Sequence, residues 1–577
     1  RLLTIAAGKY QDDIRVELHA AALSRVSPPA YEALSYVWGT QDNRGSVEIV
    51  PTAPEQLGSA LAITHNLQVA LRHFRLEDRP RCMWVDAICI DQCNLQERGG
   101  QVAIMGDIFE LATRVVVWLG PQDDTSNEAC ELLAAASEEV TSSGQPCTVR
   151  PKPGSKITAE QLHRSNWSPF DGCQSEAVYA LLSRPWFERV WIRQEIGLAS
   201  PTTIIACGKK TIPWLQFKEA LLFICVKGSS LPLSRQKSWD LYYRCRDVLL
   251  PVATSSSSTN FSDLRQYISM ARCADDRDKL YGMLSLLHPS GQALGIVPDY
   301  CKSVRDVYLD ATSRWITSQA SLDILRSCEF SDTSSVLNLP TWVLDLSLPP
   351  SSTQLENHGA HLWGDVHRNP PISLQMGSET LGVFGIRGAS VRNVHCILAS
   401  EKPSVTSTNA VQMVNNIRSS LPQDFRTASY MNEKSLLEAY CATLGAGRLF
   451  HEEDSSPEMI QAFLGSQSLP GLYGEVQDIM RHVFCSDSSE SPATNSDYRA
   501  LWDVFSVTAV DRVLFTTNEG HVGLAPHATA SGDQVYTVLG CVNPLIFRPL
   551  GGDRFRLIGE CYCHGLMASE SILGQFP

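Results

Sequence analysis

Trp191 and Glu195 stand four residues apart in the run Arg184-Pro-Trp-Phe-Glu-Arg-Val-Trp-Ile-Arg-Gln-Glu195. On a helix this spacing puts an indole and a carboxylate on one face. Such a carboxylate has two readings. Held against the ring, away from water, it titrates high; paired with an arginine such as Arg189 or Arg193, it belongs to an ordinary packed helix. Three earlier runs also close on residues able to do chemistry: Tyr31-Glu-Ala-Leu-Ser-Tyr-Val-Trp-Gly39, Trp84-Val-Asp-Ala-Ile-Cys-Ile-Asp-Gln92 and Arg114-Val-Val-Val-Trp-Leu-Gly120. In a parallel α/β sheet ligands collect outside the carboxyl ends of the strands. Those ends would deliver Trp38 and Gly39, then Asp91 and Gln92 (with Asp86 in the same run), then Trp118 and Gly120. A structural alternative stays open on spacing alone: Asp91 caps the helix that follows it, and Trp38 fills the core.

Other candidates carry less. Cys561-Tyr-Cys563-His564 offers three metal-type ligands in four residues, but has no second pair at a useful spacing, so no metal is expected. Cys89 and Cys93 bracket Asp91 and read as buried, inert thiols. The chain has no Gly-x-Ser-x-Gly elbow, no His-Glu-x-x-His and no dinucleotide-binding Gly-x-Gly-x-x-Gly. Gly208-Lys-Lys-Thr211 lacks the first glycine of a phosphate loop, Thr203 standing in its place. Serine-hydrolase, kinase-like and dehydrogenase chemistry therefore have no support.

The elements that would position these residues alternate strand and helix. Residues 33–38, 84–90 and 115–119 read as buried strands. Thr64 caps a helix whose apolar face is Leu67, Ala70, Leu71 and Phe74. Asn94-Leu-Gln-Glu97 resembles a capping box opening a helix with Val102, Met105, Phe109 and Ala112 along one stripe. Residues 141–170, rich in Ser, Pro and Gly, read as an inserted loop. A helix is predicted over 175–182, Pro185 breaks it, and 186–195 resumes it. A further strand follows at 203–206. The resulting organisation is an α/β domain over 1–210 (core about 31–196), a mostly helical region over 211–345, a mixed region over 346–500 with a Ser-rich linker at 486–496, and a β-rich module over 501–577.

The bulk properties narrow the class. The 577 residues carry a net charge of −14 with no basic run, so nucleic acid is not an expected partner. No apolar stretch approaches the ~20 residues that cross a bilayer, so no membrane span is expected. Eighteen scattered cysteines read as reduced thiols of an intracellular protein, cytoplasmic or nuclear. Asn166-Trp-Ser168 and Asn260-Phe-Ser262 are read as chance sequon matches.

In this order and spacing the four runs resemble the HET (heterokaryon incompatibility) domain of filamentous fungi. The resemblance continues through Glu97, Gln101-Val102, Met105, Ile108 and Phe109, through Leu339-Pro-Thr-Trp-Val343, and at the end through Gly520-His-Val-Gly-Leu-Ala-Pro526 and Gly559-Glu-Cys-Tyr-Cys-His-Gly-Leu-Met567. Gly99-Gly100 and Arg193 depart from the usual pattern; the two glycines weaken a helix start by ~1–2 kcal/mol relative to alanines. The resemblance implies an effector of nonself recognition and regulated cell death, acting by self-association and answering an unknown protein trigger. It also implies kinship with TIR domains, hence a TIR-like, flavodoxin-like parallel sheet. By that analogy the chain is an NAD glycohydrolase in which Glu195, placed like the TIR glutamate after a Trp, is the catalytic residue and Trp38, Gly39, Asp86, Asp91, Gln92, Trp118, Gly120 and Trp191 line the pocket. NAD would be substrate, and no cofactor is required. A non-catalytic signalling scaffold is the remaining reading.

Overall fold

Apolar runs such as Glu32–Tyr36 and Arg114–Trp118 become buried strands, more polar ones such as Arg15–His19 become exposed strands, and eleven strands come first. They are β1 (Leu2–Ile5), β2 (Arg15–His19), β3 (Glu32–Tyr36), β4 (Arg44–Ile49), β5 (Ser59–Thr64), β6 (Arg81–Trp84), β7 (Arg114–Trp118), β8 (Val140–Ser143), β9 (Thr148–Pro151), β10 (Ile204–Cys207) and β11 (Lys210–Pro213). The computed structural model describes residues 1–40, 42, 44–50, 59–143, 148–163, 167–253, 259–331, 336–352, 354–355, 370–375, 377–398, 407–425, 428–430, 435–446, 479–480, 483, 497, 501–502, 505 and 508–567. The expected linker at 486–496 and Asn166 fall outside them. Among the described residues the chain divides into two units, Arg1–Thr259 with Met270–Ser303, and Asn260–Ser269 with the chain from Val304 onward.

In the first unit nine strands form one sheet in the order β11-β10-β7-β3-β6-β1-β2-β4-β5. The central strands β10, β7, β3 and β6 are parallel neighbours. Antiparallel pairs flank them, β10 with β11 on one side and β6 with β1, then β1 with β2, on the other. The expected parallel sheet is thus the centre of a mixed one. On its flanks neighbours in sequence pair antiparallel, β1 with β2 and β4 with β5, as short connections allow, while β2 and β4 pair in parallel. Numbered among themselves, the parallel strands run 2-1-3-4, as a flavodoxin-like sheet begins, and the order reverses between β3 and β7. At the amino end, Glu32 of β3 takes one guanidinium from Arg81 of β6 and another from Arg114 of β7, which ties three neighbouring strands together.

The helices follow the apolar periodicity. In α1 (His65–Phe74) the Thr64 hydroxyl accepts from Leu67 N, and Leu67, Ala70, Leu71 and Phe74 are the buried face. Between Trp84 and Ile90 the sequence reading is corrected. The strand stops at Trp84, and α2 (Asp86–Cys89) is a single helical turn. A short continuous apolar run does not distinguish these two conformations. The helix expected after Asn94 is two helices, α3 (Leu95–Ala103) and α4 (Met105–Leu111), broken at Ile104. Asn94 caps α3 through Gln96 N and Glu97 N, but Glu97 turns to Asp91 N instead of closing the box. Gly99 is required, because a Cβ there would meet the Pro298 carbonyl oxygen at 2.7 Å.

After β7 come α5 (Ser126–Glu139), the β8–β9 hairpin and α6 (Ala159–His163), so the expected inserted loop carries structure of its own. Asp171 and Gln174 form a full capping box on α7 (Gly172–Leu182). A 3-10 turn, Pro185–Glu188, leads to α8 (Ile192–Gly197). The helices α9 (Trp214–Lys227) and α10 (Arg235–Ala253) complete the layer; Asp247 of α10 pairs with Arg193 at 3.2 Å, which accounts for an arginine at a buried position. The segment 270–303 returns along α8. Val190 N donates to the Arg272 carbonyl at 3.0 Å.

The second unit centres on a seven-stranded antiparallel sheet, β17-β16-β15-β12-β13-β14-β18. Its strands are β12 (Gly385–Cys396), β13 (Arg512–Thr517), β14 (Val522–Pro526), β15 (Gln534–Val538), β16 (Leu545–Gly551), β17 (Arg554–Glu560) and β18 (Tyr562–Cys563). The long strand β12 pairs with β15 through its first half and with β13 through its second, shifting register in both ladders. Buried Glu560 is held by Arg326 and Arg512. Among the described residues, no helix of either unit is long and apolar enough to cross a membrane.

Candidate functional site

Ser35 and Tyr36 end β3, and Gly39 adopts φ +80° in the turn that follows, so the chain leaves the sheet abruptly and Trp38 folds back over the strand ends. Because β6 stops at Trp84, Asp86 lies at the carboxyl end of its strand, as the first residue of α2. The Trp38 indole N–H donates to Asp86 Oδ2 at 2.8 Å, and Ala87 N donates to Oδ1 at 2.7 Å. The Tyr36 hydroxyl is buried beside Asp86 without a well-formed hydrogen bond.

Glu195 enters the same place from α8. Only 2% of it is exposed. The Trp186 indole donates to Ser35 Oγ at 2.8 Å, so the Ser35 hydroxyl directs its own proton to Glu195 Oε2. Arg189 Nη1 lies 3.4 and 3.5 Å from the two Glu195 oxygens. Burial pushes the Glu195 carboxyl above its ordinary range; Arg189 and Ser35 oppose that shift, and the charge of Asp86 adds to it. Asp86 is raised for the same first reason, against Arg189, Trp38, Ala87 and Tyr36. Arg189 thus pairs with Glu195 and acts on Asp86 through its charge alone, and no second counter-charge is among the groups that shift the two carboxyls at the ends of β3 and β6. Such a pair holds a proton more readily than two separate carboxylates.

Of the residues the sequence nominated, Glu195, Trp38 and Asp86 meet here, with Gly39 in the adjoining turn. Gln92 stands one layer out, its amide donating to the Asp86 carbonyl at 3.0 Å. Asp91 does not join them. It is exposed, and its carboxylate accepts from Cys93 N at 3.1 Å, the local role of a turn residue. Trp118 is fully buried core, bonded to Asn66 at 3.1 Å and packed against His73 and Phe74. Gly120, at φ +108°, shapes the loop after β7, and its carbonyl accepts from Gly208 N. Trp191 is the N-cap residue of the helix that carries Glu195, α8, but turns to Asp278, its indole 3.3 Å from Oδ2.

Ser35, Tyr36 and Trp186 were not nominated. A serine inside a buried apolar strand was their one signal, since a buried hydroxyl needs a partner. Asp278 also escaped the sequence reading. It accepts from Tyr300 at 2.7 Å, Arg98 lies 3.7 Å away, and burial pushes it up to about 6. Cys561 and Cys563 are buried thiols in the second unit. Among the described residues no group of three or more His, Cys, Asp or Glu side chains is placed to hold a metal ion.

Comparison with known proteins places this geometry in context. Residues 31–195 match the family described as heterokaryon incompatibility protein (HET), a span that opens on β3 and closes on Glu195. Residues 490–574 match the Het-6 β-barrel domain. Over 667 aligned positions the chain is 24% identical to heterokaryon incompatibility protein 6, OR allele, of Neurospora crassa, covering 99% of this chain and 94% of that protein. No solved structure matches.

Proposed function

We propose, for a chain that carries a HET domain at residues 31–195 and a Het-6 β-barrel domain at 490–574, a role in fungal heterokaryon incompatibility in which the HET domain is the effector. Similarity along nearly the whole length of the Neurospora crassa protein supports the role. The effector acts in nonself recognition, self-associates and drives regulated cell death. Inducible expression in a filamentous fungus tests this: arrested growth and loss of viability are expected, and normal growth at full expression refutes it.

A second reading concerns chemistry and rests on one observation, the pair Asp86 and Glu195 around Arg189 at the strand ends. The pair suits hydrolysis of NAD at the nicotinamide–ribose bond. The C1′–N bond breaks with its electrons leaving on nicotinamide, and positive charge develops on the ribose. Ionised Glu195 stabilises that charge. Asp86 takes a proton from the attacking water, giving ADP-ribose. Trp38, half-buried over Asp86, offers a face for a flat ring. Purified protein is incubated with NAD and nicotinamide is measured chromatographically. Release is expected, with Glu195→Gln lowering it by ~10²–10³-fold. No release even from concentrated assemblies leaves the domain a non-catalytic scaffold.

A further inference from the structure

The arginines of the second unit fall into two groups. Arg265, Arg305, Arg314, Arg326, Arg512 and Arg548 each lie against a carboxylate. Arg387 and Arg392 of β12 and Arg554 of β17 are exposed, and among the described residues no carboxylate stands within ion-pair distance of them. Arg556 of β17 lies over the Phe330 ring, 4.9 Å from its centroid, instead of against an acid. The acidic groups nearby do not cancel this charge. Asp533 is taken by Arg548, Glu519 accepts from Ser390 N at 2.9 Å, and Asp553 sits in the β16–β17 turn. The net charge of −14 is a sum over the whole chain and conceals a face that favours anions.

Between the two arginine-bearing strands lie β15 and β16. Residues opposite each other in a ladder share a face, as do residues two apart along a strand. Arg387 is opposite Tyr536, Gln534 is opposite Phe547, and Pro549 is opposite Phe555. Arg387, Tyr536, Phe547 and Phe555 therefore form one row across four strands. The other face, with Val535, Ile546 and Ile558, is buried core. The three rings touch, with centroids 5.5 to 6.3 Å apart and planes 67 to 86° apart, so they make a corner and not a stack. Tyr536 and Phe547 are half-buried, and Phe555 is 39% exposed.

We propose that this face binds single-stranded RNA, with bases in the Tyr536–Phe547–Phe555 corner and phosphates on Arg387, Arg392 and Arg554. A flat base entering the corner stacks on one ring and meets the edge of another. Every base offers such a face, and a four-stranded sheet bearing aromatic rings stacks two or three of them. A duplex keeps its base faces inside and cannot use the rings. The polar groups beside the rings suit a ribose. Ser390 and Gln534 stand opposite each other on the same face, and the Tyr536 hydroxyl donates to Gln534 Oε1 at 3.1 Å. These groups can both donate to and accept from a 2′-hydroxyl, which distinguishes RNA from DNA. The proposal is independent of any chemistry in the first unit.

The full chain is titrated into a fluorescein-labelled, uridine-rich RNA of about 12 nucleotides, within the length one such site engages. Anisotropy is read at a series of salt concentrations. Saturable binding is expected, displaced by the same RNA unlabelled and not by an RNA duplex of equal length. Phe555→Ala, at an exposed position, weakens binding by ~5- to 100-fold, as loss of one stacked base does. Arg387→Ala weakens it too, and lowers the slope of log affinity against log salt by ~0.7, the share of one phosphate contact on a single strand. A chain that binds no RNA at low salt overturns the proposal, as does binding that neither substitution changes. Equal affinity for the duplex leaves charge without the rings and overturns it as well. Equal affinity for the DNA strand of the same sequence removes the role given to the polar groups and overturns the assignment to RNA.

Discussion

Replacing Ser35 by alanine separates the two jobs of one hydroxyl. Its bond to Glu195 is charge-assisted and worth ~1.5–3 kcal/mol when the carboxyl is ionised. Losing it raises Glu195 further, because a group that favours the charged form is gone. The second loss is the acceptor for the buried Trp186 indole, which costs ~1–3 kcal/mol at every pH. The sign follows from linkage. A carboxyl raised on folding contributes stability that is fully present below its unfolded value of ~4.3 and is lost as pH rises through the folded value. Because Ser35→Ala raises the folded value further, the variant loses more over a wider interval. Urea unfolding of both proteins from pH 4 to 8 should therefore show a gap that is small at pH 4, set by Trp186 alone, and that widens toward pH 8. Difference infrared spectroscopy of the carboxyl stretch should place the Glu195 transition at higher pH in the variant. A gap independent of pH, with the carboxyl titrating at one position in both proteins, refutes the idea that Ser35 governs this charge.

Three further outcomes are expected. Asp278, pushed up to about 6 by burial, withholds stability as pH rises from ~4 to 6, on the order of 3 kcal/mol; Asp278→Asn should flatten that part of the urea-denaturation profile. Gly106→Ala sets a methyl group against the Ser285 side chain and should cost ~1–3 kcal/mol by thermal unfolding. Asp91→Ala, at an exposed turn, should change stability by no more than ~0.5–1 kcal/mol and leave nicotinamide release untouched; a large loss of release would restore Asp91 to the site.

Legibility in the sequence followed the strength of the local pattern. The face of α1 and the run Val115–Trp118 were plain because their periods have one interpretation each. The run after Trp84 had two, and choosing strand moved the apparent carboxyl end of β6 several residues too far. That displacement put Asp91 at the strand end and left Asp86, also nominated, inside the strand, so an error in an element added a wrong residue to the site. Trp118 stood at the end of the right strand, but spacing does not say that its indole turns inward to Asn66. Family likeness located Glu195; neither likeness nor spacing joined it to Ser35, 160 residues earlier, or Trp191 to Asp278, 87 residues later. Long-range pairs of this kind leave no periodic trace.

The return of the chain along α8 matters to anyone who trims this protein. A fragment cut at the family boundary after residue 195 deprives Val190 of the Arg272 carbonyl and the Trp191 indole of Asp278, and so strips the scaffolding from the flank that carries Glu195. A fragment that keeps this flank has to run on through the segment 270–303, which belongs to the same compact unit.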